Sequence, residues 1–269
     1  MNPLRRTSAL CALAIFVTSA LAQAPSSTAL NDAQRKHVLQ QAHEKHQGLA
    51  KAGLVEFTCE VHPEWDGFIK QMKLDAKDAV IPLVKQIRYT VTFSVSGDAK
   101  VTHPDIQSTD AASADRARRV ANGIEQLVSG FLQSWAFLGV ATPLPETDSD
   151  YQVTSVGGKY HLAYHEGVAL VQTTIGPDFD VEEVNYGGPE ISAIMHPRWL
   201  NTPRGFLLSG YAGDTEMKGK PEKMHLDIRI DYQTVDGLPL PSVVKGSTST
   251  PDGPVDINVD FVNYQVKKR

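Results

Sequence analysis

From residue 150 onward the chain alternates apolar and polar residues in run after run, each broken by a short glycine-containing turn. A period of two places every second side chain on one face of a strand. Tyr160, Leu162 and Tyr164 oppose His161 and His165, and Met224, Leu226, Ile228, Ile230 and Tyr232 oppose His225, Asp227, Arg229 and Asp231. Gly157-Gly158, Glu166-Gly167, Asp236-Gly237 and Asp252-Gly253 are turn signals between such runs. Turns this short join antiparallel neighbours, so the C-terminal half reads as a meander without the βαβ rhythm of a parallel sheet. The last run, Val255-Ile257-Val259-Phe261, shifts phase to Val262, Tyr264 and Val266, which predicts a bulge.

The N-terminal half adds two strands and two helices. Val55, Phe57, Cys59 and Val61 alternate with polar residues, as do Ile87, Tyr89, Val91, Phe93 and Val95. A helix is predicted over 31–51, opened by Asn31 and Gln34 at capping-box spacing and carrying only a thin apolar stripe. The second helix, over 110–139, is capped by Asp110 and ended by Gly139 and Pro143. Its stripe contains Val120, Ile124, Leu127, Val128, Phe131, Trp135 and Leu138 at helical spacing. Core packing and the lining of an apolar ligand cavity both require such a stripe, and periodicity leaves both open. As a cavity lining, the candidate residues are Ile124, Leu127, Phe131, Trp135 and Leu138.

Arg5 and Arg6 precede the apolar run Ala9–Val17, and Ala20-Leu21-Ala22 follows it. That is the layout of a cleavable export signal over residues 1–22, the run being too short to span a bilayer comfortably. Cleavage near Ala22 leaves residues 23–269 as one domain with a helical insertion at 110–139, periplasmic or secreted, without a membrane span. It also leaves Cys59 as the one cysteine, on the apolar side of its strand, where a core thiol is expected rather than a nucleophile. The net charge of −5 falls to −7 on removal of two arginines and argues against a nucleic-acid partner.

Few residues point to chemistry. His43-Glu44-Lys45-His46 is one residue short of a zincin signature, and no third ligand is identifiable. His161 and His165 stand two pleats apart, too far to chelate one metal. Asp178, Asp180 and Glu182 lack the glycine of a calcium loop, and Asp256, Asn258 and Asp260 are the polar face of the last strand. The nucleophile elbow G-x-S-x-G, the S-x-x-K motif, the phosphate loop and the dinucleotide fingerprint are all missing. No catalytic residue, metal or cofactor is therefore assigned.

An export signal, an early helix, an antiparallel meander, a helical insertion, the turn Tyr232…Asp236-Gly237-Leu238-Pro239-Leu240-Pro241 and the closing Phe261-Val262-Asn263-Tyr264 resemble the periplasmic outer-membrane lipoprotein-sorting and lipoprotein-carrier superfamily. The resemblance implies an α+β fold: a strongly curved antiparallel sheet, a half-open barrel, with the N-terminal helix and the long amphipathic helix covering its concave face. It implies a non-catalytic binder of a lipid, an acyl chain or a lipidated protein. The alternative is an exported structural or interaction protein whose apolar faces are all core.

Overall fold

A computed structural model describes residues 28–219, 223–250 and 253–269; the expected export signal lies outside them. The strands are β1 (Thr28–Ala29), β2 (Leu54–Pro63), β3 (Tyr89–Ser94), β4 (Ala99–Thr102), β5 (Tyr151–Val156), β6 (Lys159–Glu166), β7 (Ala169–Ile175), β8 (Val181–Gly187), β9 (Ile191–Thr202), β10 (Gly205–Met217), β11 (Lys223–Val235), β12 (Leu238–Thr250) and β13 (Gly253–Lys268). All thirteen join one sheet in the order β1-β5-β6-β7-β8-β9-β10-β11-β12-β13-β2-β3-β4, antiparallel throughout and not closed, its edges being β1 and β4. The predicted meander is β5 through β13. β13 then pairs with β2, bringing the C-terminus beside the first half of the chain.

The turn chemistry explains the tight hairpins. At the β11–β12 turn Asp236 and Gly237 both have positive φ, 50° and 80°, the conformation that matches the twist of the flanking strands. The predicted bulge falls in β13, where pairing with β2 skips from Val262 to Gln265 and Asn263 takes φ 57°. Gly246 in β12 answers to close approach instead: a Cβ there would lie 2.0 Å from the Asp227 carbonyl oxygen in β11, and backbone cannot give way.

Among the described residues four α-helices accompany the sheet: α1 (Asp32–Lys45), α2 (Trp65–Gln71), α3 (Val80–Lys85) and α4 (Ala111–Trp135), the last running into a π turn at Ala136–Val140. The capping box at the start of α1 is formed in both directions, Gln34 N–H to Asn31 and Asn31 N–H to Gln34, each at 3.0 Å. This helix stops at Lys45, short of the predicted Lys51. His46 there turns extended to bridge Phe206, and Gln47 N–H donates to the Phe206 carbonyl at 2.9 Å. A pairing partner 160 residues away thus overrides good local helix formers. The predicted cap of α4 is present, Asp110 accepting from Ala112 N–H.

One cluster of buried side chains draws on every helix and on strands from both halves of the sheet, including Val153, Val171, Tyr211, Ile228, Val259, Phe57 and Phe93. Cys59 belongs to it, paired with Val91 across to β3, and burial pushes its thiol pKa up to about 12. Thiol labelling in native buffer is accordingly expected to be at least about a hundredfold slower than in denaturant. Equal rates measured with a maleimide reagent would contradict the burial.

Candidate ligand-binding site

The stripe of α4 comes first. Ile124, Phe131, Trp135 and Leu138 are buried and Leu127 half-buried. Phe131 packs against Phe261 of β13 with ring centroids 5.7 Å apart, and Trp135 sits 5.3 Å from Phe93 and 6.2 Å from Phe57. The indole N–H of Trp135 donates to the Tyr232 hydroxyl at 3.2 Å, and that hydroxyl donates to the Leu208 carbonyl at 2.6 Å. The structure therefore brings the five candidate residues into the main apolar cluster, with core side chains as their neighbours. Three shallow surface hollows are lined elsewhere: by β3, β4 and Gln133; by α1 and the β9–β10 turn; and by the polar face of β5–β8.

The polar candidates separate. His43 donates from Nε2 to the Pro145 carbonyl at 2.9 Å and His46 from Nε2 to the Phe179 carbonyl at 3.1 Å, so the two imidazoles serve different segments. His161 contacts Thr174 and His165 is exposed. Glu182 pairs with Lys159 at 2.5 Å, while burial raises the Asp180 carboxyl above the usual range. Among the described residues no group of three or more His, Cys, Asp or Glu side chains is placed to hold a metal ion.

A different region stands out, built by strand register. Val184 and Tyr186 of β8, Ala193 and Met195 of β9, Gly213 and Thr215 of β10, and Met224, Leu226 and Ile228 of β11 lie on one face, the face that carries buried Tyr211 and Ile230. Followed toward the β8–β9 and β10–β11 turns, the same face becomes exposed and, Thr215 apart, stays apolar. Ile191 pairs with Met217, and these two and Met224 are 41%, 40% and 39% exposed. Tyr186, Met195 and Leu226 are half-buried behind them, and Gly213 puts no side chain between Met195 and Leu226. Phe137 of the π turn meets Tyr186 edge to face at 6.2 Å, linking the end of α4 to this patch.

Three of the chain's five methionines gather here. Unbranched and polarisable, methionine adapts to varied apolar partners. Lys223 pairs with Glu216 at 2.5 Å, and Lys218 N–H donates to the Glu190 carbonyl at 2.9 Å, tying the two turns together. Sequence reading missed this site, although the alternation from Met224 to Ile230 marked its face.

The chain matches no family model, no curated protein and no solved structure. No described helix is long and apolar enough to cross a membrane.

Proposed function

We propose that this chain is an exported, non-catalytic protein that binds acyl chains, of a lipid or of a lipidated protein, at the apolar end of its sheet. The observation that carries the reading is the exposed continuation of the core face at Ile191, Met217 and Met224, backed by Met195, Leu226 and Tyr186. Monomeric soluble proteins seldom leave a contiguous apolar surface uncovered without a use for it. The shape in which it works is a sheet curved into a half-open barrel with α4 over the concave side. A buried cluster shared by β5–β8 and by β2–β3 supports that curvature, and the contacts of Phe131 and Trp135 support the helix placement. Export rests on the charged, apolar and small-residue succession of residues 1–22.

The test is a titration with a fluorescent fatty-acid probe. Met217→Glu/Met224→Glu is expected to weaken binding about a hundredfold, since each carboxylate must be desolvated against the chain. The far-UV circular dichroism should not change, because both side chains are exposed. A wild-type chain that binds no such probe would overturn the reading. It would favour an interaction protein without a ligand cavity, for which the packing of the α4 stripe among core side chains already speaks.

A further inference from the structure

We propose that the end of the molecule bearing the β6–β7, β8–β9 and β10–β11 turns docks on a lipid bilayer by inserting apolar side chains from the three tips. These strands are sequentially antiparallel, so the three turns share one end of the sheet. Of the seven exposed large hydrophobic side chains among the described residues, five belong to this end: Val168 and Leu170 beside the first turn, Ile191 beside the second, and Met217 and Met224 beside the third. Val168 is 81% exposed, at the turn itself.

Two features favour a bilayer over a protein partner. Val168 and Leu170 stand apart from the Ile191–Met217–Met224 patch, Leu170 on the opposite face of the sheet, so the five do not line one concavity, an arrangement a fluid accommodates and a shaped protein pocket does not. The Lys218–Glu190 backbone bond holds two of the tips together, so they would enter as a unit. Lys218 and Lys223 directly flank Met217 and Met224, so that polar groups, the Lys223–Glu216 ion pair among them, would stay at the headgroups while the apolar side chains enter. The described tips also carry Glu166, Glu190 and Glu216, leaving no net positive charge. Attachment is therefore apolar in origin and needs no anionic lipid, unlike a polybasic anchor.

This goes beyond acyl-chain binding and shares Ile191, Met217 and Met224 with it, so the test turns on Val168, which lies outside that site. Purified protein is floated with vesicles of phosphatidylcholine alone and of phosphatidylcholine with phosphatidylglycerol. Wild type should float with both, nearly independently of salt. Val168→Glu should weaken vesicle binding about tenfold and leave fatty-acid-probe binding unchanged. Val168→Glu/Ile191→Glu should weaken vesicle binding about a hundredfold, and Leu200→Glu, exposed toward the opposite end of β9, should have no effect. Wild type left unfloated by both vesicles, binding confined to the anionic vesicles, or tip variants that float like wild type would overturn the proposal. Vesicle binding that persists in a chain unable to take up the fatty-acid probe would overturn the acyl-chain reading and leave this one standing.

Discussion

Phe131→Glu is expected to unfold the chain. The ring is buried against Phe261, itself wholly buried, in the apolar cluster that joins α4 to β13. Losing a buried aromatic costs about 3–5 kcal/mol, and an unpaired carboxylate left in its place costs several more unless it is protonated. Together these approach the about 5–15 kcal/mol that holds an ordinary domain together. Phe131→Leu, which keeps most of the apolar volume, should stay folded with a lowered melting temperature. A circular-dichroism melt of both variants decides the matter. A well-folded Phe131→Glu with a melt like wild type would mean that this part of the stripe borders open space, and the ligand site would move from the sheet end to α4.

Acidification should destabilise the protein through His46 well before most carboxylates titrate. The imidazole lies between Trp199, 4.5 Å away edge to face, and Phe206 at 5.4 Å, and its Nδ1 has no hydrogen-bond partner. Burial lowers its pKa from 6.5 to about 4; the bond to the Phe179 carbonyl opposes the shift and the neighbouring His43 adds to it. The unfolded chain binds the proton first as pH falls, so the contribution is complete above about pH 6.5 and drains away between 6.5 and 4. Between pH 7 and 4.5 the loss is about 2 kcal/mol. Denaturant midpoints across that range measure it, with His46→Phe as the comparison. The variant should lose most of the slope; an unchanged slope would show that His46 is not the group responsible. Asp78, Asp110 and Asp227, whose carboxyls are held below the usual range by hydrogen bonds, add their own losses at lower pH.

Features set by neighbours in sequence were legible in it. The Gly157-Gly158 and Asp236-Gly237 turns, the capping box of α1, the Asp110 cap and the slip in β13 each depend on a few adjacent residues. Features set by distant partners were not. α1 ends early because His46 meets Phe206, and α2 and α3 are too short for a helical period to show. Ile87, read as part of a strand, is buried in the turn leading from α3 into β3. The candidate site failed to show for a related reason. Met224, Leu226, Ile228 and Ile230 form one unbroken apolar face in the sequence, yet burial falls along it from Ile230 to Met224, and alternation carries no record of where cover stops. For α4 the stripe itself was readable, while its neighbours Phe57, Phe93, Tyr232 and Phe261 come from strands on either side of it in the sequence.

The pairing of β13 with β2 orders the assembly of the molecule in time. Val259 meets Pro63 and Lys268 meets Leu54, so β13 closes against a strand made about two hundred residues earlier. Each hairpin from β5 to β13 can zip onto its predecessor as it emerges, at small loop-closure cost. The β2–β3–β4 ladder has no such option. Its β2 edge stays open until β13 has been made, an interval in which any other extended chain can pair with it.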